Sequence, residues 1–141
     1  MVELASPEWV ELARTFLTDA VPEMATSAPD VAFSICESFT NPPRHLDDGH
    51  NRSAWWFKID GPHVEVEAGA RTDLLIYYEA PYAEALPRAR TTLPEPTLET
   101  LESASSPLDP RLSAQPLQLL QMLTRLHNFL ADRTLDGSRE G

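Results

Sequence analysis

The chain has 141 residues, 42% of them hydrophobic, which is enough for one folded unit with an apolar core of its own. Its 22 acidic and 11 basic residues give a formal net charge of −11, which argues against nucleic acid and against adsorption to anionic membranes. The single cysteine, Cys36, cannot close an internal disulfide, no basic-then-apolar leader opens the chain, and no apolar run approaches a membrane span. The expectation is a cytoplasmic protein without stable membrane insertion.

Ser6-Pro7-Glu8 has the chemistry of a helix start: a capping hydroxyl, proline at the first helical position and an acid near the positive dipole end. Trp9, Leu12, Ala13, Phe16, Leu17 and Ala20 follow at helical spacing, and the helix is expected to end around Val21-Pro22. Val31 to Thr40 alternate as a strand, with Phe33, Ile35 and Phe39 on one face and Ser34, Cys36 and Ser38 on the other. Asn41 to Arg52 form a polar connection. Its HLDDGH segment places His45, Asp47, Asp48 and His50 close together, yet their spacing matches no standard metal site, and a solvated loop is expected.

Residues 53 to 79, SAWWFKIDGPHVEVEAGARTDLLIYYE, read as a meander of three alternating strands. Asp60-Gly61-Pro62 supply the first turn. Pairing Ile59 with Val64 then sets Phe57 against Val66, Trp55 against Ala68 and Lys58 against Glu65, so the apolar faces coincide. Gly69-Ala70-Arg71 suggests a second turn, after which Leu74, Ile76 and Tyr78 continue the apolar face. Trp56 and Tyr77 fall on the opposite face. A neighbouring segment, or a second copy in a homodimer, would cover them.

Pro81 to Ala89 can form a short helix that Pro87 ends or kinks. Residues 90 to 112 are rich in proline, with one helical stretch near Thr97 to Ser103. Ser113 to Arg133 is the clearest helix in the chain. Leu119, Leu120, Leu123, Leu126 and Leu130 make one stripe, and Leu117, Met122 and Phe129 widen it beyond half the circumference. Such a helix is either deeply buried or the cover of a cavity. The predicted fold class is therefore α+β, a mainly antiparallel sheet with one face covered by N-terminal and C-terminal amphipathic helices, and the tail 136–141 is expected to be disordered.

The stretch from Ala54 to Ala89 combines an aromatic strand (AWWFKID), a second strand (VEVEAG), a third (TDLLIYY) and a short helix (PYAEALPRA). With the Asp60-Gly61 turn, Gly69, Asp73 and Tyr82, this order resembles the sterol carrier protein type-two family of small α+β lipid-binding domains. The resemblance spans about two thirds of the chain and fades after Ala89, where the proline-rich segment replaces an expected final strand. It implies a single domain over 1–135 that binds a hydrophobic small molecule (a lipid, sterol or acyl thioester) in an apolar tunnel, with no cofactor. The side chains placed to line that tunnel are Phe33, Trp55, Phe57, Ile76, Tyr78, Met122, Leu126 and Phe129. The same residues would equally serve as a solid core packed against one another, since periodicity does not separate the two.

No catalytic constellation stands out: there is no G-x-S-x-G, P-loop or G-x-G-x-x-G sequence. A cofactor-free acid–base enzyme acting on a polyketide- or steroid-like substrate remains open, with His127, His63 and Asp60 as its candidates. So does an acidic interaction protein with a solid core.

Overall fold

A computed structural model describes residues 1–99 and 110–136. Helix α1 (Pro7–Ala25) begins as its sequence predicts: Ser6 is extended, its hydroxyl accepts from Trp9 N at 3.2 Å, and Pro7 occupies the first turn. The helix passes through Pro22 instead of stopping there. Proline removes one N–H donor, but the carbonyl so freed belongs to exposed Thr18 and does not need a protein partner.

Strands β1 (Ala32–Thr40), β2 (Arg52–Asp60), β3 (His63–Ala68) and β4 (Ile76–Pro81) form one sheet in the order β3-β2-β1-β4. The β2–β3 hairpin has the predicted register, with Ile59 opposite Val64, Phe57 opposite Val66 and Trp55 opposite Ala68. Gly61 makes its turn at φ 58°, a left-handed backbone that glycine adopts without strain.

The expected three-stranded meander does not form. Strand β4 lies beside β1 and parallel to it, with Ile35 against Ile76, Glu37 against Tyr78 and Phe39 against Ala80. Residues 69–75, read as a hairpin turn, instead run across the second face of the sheet. Arg71 N donates to Cys36 Sγ on β1 at 3.4 Å, its guanidinium lies 4.4 Å from the ring centre of Trp56 on β2, and Leu75 N donates to Ser34 Oγ at 2.9 Å. This strap shields Trp56 by a cation–π contact within the chain. Leu74 lies in the strap, before β4 begins.

Among the described residues the helices α2 (Tyr82–Ala89), α3 (Pro110–Ser113) and α4 (Leu117–Ala131) follow. The continuous helix expected from Ser113 is broken because Pro116 disfavours helical geometry at Gln115 and has an extended backbone, with φ −64° and ψ 149°. The predicted stretch Thr97 to Ser103 lies mostly, and the tail from 137 wholly, outside the described residues.

The architecture is α+β, with α1 and α4 on the apolar face of the sheet. Helix α1 lies along β3, where the Arg14 guanidinium donates to Val66 O at 2.8 Å and occupies the free edge of that strand. Helix α4 packs against α1 and α2 more extensively than against any strand. No helix among the described residues is long and apolar enough to cross a membrane.

Candidate functional site

Alternation along the strands sends one set of side chains towards the helices, and register aligns them in rows. One row is Val66, Phe57, Ile35 and Ile76; the next is Ala68, Trp55, Glu37 and Tyr78. Trp55 is only 2% exposed and forms the wall at one side, with Trp9 of α1 set edge-on against it at 4.9 Å between ring centres. Phe57 stacks on from Trp55 at 5.4 Å and Phe33 on from Phe57 at 6.0 Å. Trp9 is fixed at its polar end, where Nε1 donates to the buried Thr134 hydroxyl at 3.1 Å.

Between this face and the helices lies a cavity of about 440 Å³, partly open to solvent. Its floor is Phe33, Ile35, Glu37 and Phe39 of β1, Trp55 and Phe57 of β2, and Ile76 and Tyr78 of β4. Leu123, Leu126, His127 and Leu130 of α4 form the roof, with Leu4, Trp9, Ala85, Ala89 and Leu112 closing the sides. Exposed Arg88 lies at the rim, where its guanidinium donates to the Tyr78 hydroxyl at 3.1 Å.

Of the side chains that the sequence places in a tunnel, Phe33, Trp55, Phe57, Ile76, Tyr78 and Leu126 meet around this space. Met122 and Phe129 do not. At 100° per residue, both lie roughly 40–60° to one side of Leu126, whereas Leu130, Leu123 and His127 lie on the other. Phe129 accordingly packs on Phe16 of α1, with ring centres 5.2 Å apart, and Met122 is buried in the core. The wide apolar stripe of α4 thus serves two neighbours, one half meeting α1 and the other the cavity.

Glu37 is the residue that sequence reasoning passed over. It shares the strand parity of Phe33, Ile35 and Phe39, so alternation places a carboxyl in the middle of an apolar face. Its border with the cavity leaves it half-buried rather than sealed. Trp55 Nε1 donates to Glu37 Oε1 at 2.8 Å. Burial pushes the carboxyl above the ordinary glutamate range, only partly opposed by the Trp55 hydrogen bond and the field of His127. His127 lines the cavity, with its Nε2 2.7 Å from Thr91 O.

The other polar candidates lie elsewhere. Asp60 and His63 face each other at the tip of the hairpin, and neither borders the cavity. In the HLDDGH segment, His45 reaches Glu3 at 2.8 Å, Asp47 accepts from the backbone of Gly49 and Asn51, and Asp48 pairs with Arg52 at 2.8 Å. Among the described residues no group of three or more histidine, cysteine or acidic side chains is arranged to hold a metal ion. Cys36 is fully buried beneath the strap, where desolvation pushes its thiol up and away from nucleophilic character.

Comparison of the chain with models of protein families, with curated proteins and with solved structures finds no match.

Proposed function

We propose that this protein binds a hydrophobic small molecule in the cavity between its sheet and α4, as a non-enzymatic carrier of the kind the sterol carrier resemblance implies. The observation that carries the reading is the 440 Å³ space walled by aromatic and aliphatic side chains, within the size range of small-molecule sites. It equals roughly fifteen waters at liquid density, room for a short acyl chain. Burying ten methylenes contributes about 8 kcal/mol before entropic costs, at about 0.8 kcal/mol each, so affinity needs no catalytic group. A solid-core interaction protein fits such a space poorly.

Two of the three tryptophans, Trp9 and Trp55, lie in the wall, while Trp56 sits on the opposite face. Titration with fatty acids and sterols should therefore give a saturable change in tryptophan fluorescence, and native mass spectrometry a one-to-one adduct. Absence of both would refute the reading. The acid–base enzyme reading draws its support from Glu37 rather than from His63 or Asp60, and turnover of a polyketide- or steroid-like substrate that Glu37→Gln abolishes would favour it. A homodimer through the second sheet face loses its main motive, because Arg71 already covers Trp56.

A further inference from the structure

We infer that the ligand of this cavity is an apolar body carrying a neutral hydroxyl, which hydrogen-bonds to the Glu37 carboxyl. The inference rests on the reading of the cavity as a ligand site and names the chemical class that site selects.

A carboxyl on an inner strand of an apolar face is an expensive choice unless something uses it, because burying an unpaired charge is among the least favourable placements in a fold. The rows flanking Glu37 hold Ile35, Phe57 and Ile76 on one side and Ser53, Phe39 and Ala80 on the other, and the roof opposite is leucine apart from His127. A carboxyl offers about four lone-pair positions on its two oxygens. Among the described residues its one hydrogen bond is the contact from Trp55 Nε1 to Oε1, which leaves Oε2 for whatever enters.

The remaining polar groups of the wall are His127, Tyr78 and, at the rim, exposed Arg88. His127 Nε2 is at hydrogen-bond distance from Thr91 O, and the Arg88 guanidinium is held at the rim by the Tyr78 hydroxyl. No arginine or lysine forms an ion pair with Glu37 among the described residues. The interior therefore presents an acid that no arginine or lysine pairs with among the described residues, although the field of His127 reaches it.

That combination discriminates between head groups. A fatty carboxylate would bring a second negative charge, or need a proton, next to Glu37. An ammonium would form an ion pair only after both charges left water, and desolvation offsets much of the attraction. A ketone accepts hydrogen bonds only, so it is matched when Glu37 is protonated and mismatched when it is ionised. A hydroxyl both donates and accepts, and satisfies Oε2 in either protonation state.

The test compares probes of equal chain length, 1-decanol, decanoate, 2-decanone and decylamine, by tryptophan fluorescence at pH 7.5 on the full chain and on Glu37→Leu and Glu37→Gln. Wild-type protein should bind decanol at least tenfold more tightly than decanoate, and more tightly than the ketone or the amine. Glu37→Leu should lose about tenfold for decanol, the worth of one well-made hydrogen bond, and gain for decanoate. Glu37→Gln, whose amide also donates and accepts, should stay within about threefold of wild type for decanol. Equal binding of decanol by wild type and Glu37→Leu, or preference of wild type for any other head group, overturns the inference while the cavity reading stands. Failure of every probe to bind overturns both. Should Glu37→Leu not fold, the order of the four probes on the wild-type protein decides by itself.

Discussion

Ala85 lies on α2, is 6% exposed and borders the cavity. Replacing it with leucine adds three carbon groups directed at empty space. At about 0.8 kcal/mol per buried group the transfer is worth up to ~2.4 kcal/mol, and fixing the leucine rotamer takes back about 0.5–1 kcal/mol. The expected outcome of Ala85→Leu is a gain of about 1.5 kcal/mol in stability. With an m-value near 2 kcal/mol/M, that moves the urea midpoint up by about 0.8 M. The three groups also take up roughly a fifth of the 440 Å³ at ~30 Å³ each, so decanol capacity should fall as stability rises. Ala13 provides the control. It is 0% exposed on α1 and does not border the cavity, so Ala13→Leu should cost about 1–3 kcal/mol through overpacking. If Ala85→Leu lowers the urea midpoint as much as Ala13→Leu does, the space beside α2 is already full and the reasoning fails.

Further outcomes follow from individual contacts. The Glu37 carboxyl is pushed above its ordinary value of 4.5 in the folded state, so the folded protein binds more protons than the unfolded one above that pH. Its contribution is fully present below 4.5 and is lost as pH rises through the folded value. Urea melts from pH 4 to 8 should show this decline in wild type and its absence in Glu37→Gln; parallel profiles would contradict it. Thr134→Val leaves the buried Trp9 Nε1–H without its acceptor and should cost about 1–3 kcal/mol in the same melts. Met122→Ala should cost about 2–5 kcal/mol as a core truncation, yet leave decanol affinity unchanged well below the unfolding midpoint, because Met122 faces away from the cavity.

Local chemistry made part of this fold readable in the sequence. The Ser6-Pro7 cap, the Asp60-Gly61 turn and the phase of the β2–β3 hairpin all depend on residues close together in the chain, and alternation alone assigns the faces of Phe33, Trp55, Phe57, Ile76 and Tyr78. The neighbour of β4 was not readable in that way. Ile76 and Tyr78 keep the same parity whether β4 pairs with β3 or with β1, so the choice rests on where residues 69–75 run, which the Arg71 and Leu75 contacts with β1 and β2 determine. Pro116 was a visible signal that the leucine periodicity around it obscured. The breadth of the α4 stripe was legible, but its division between α1 and the cavity depends on how far the helix stands from the sheet, which is a tertiary property. Glu37 was within reach: an acid at the parity of three large apolar residues is an anomaly that alternation exposes without coordinates.

The most direct test is a crystal structure of the protein soaked with 10-bromo-1-decanol, with data collected at the bromine edge. The account predicts an anomalous bromine peak inside the space bounded by Ile35, Trp55 and Leu126, and ligand density reaching Glu37. Bromine found only on the outer surface, with that space filled by the protein's own side chains, would contradict it.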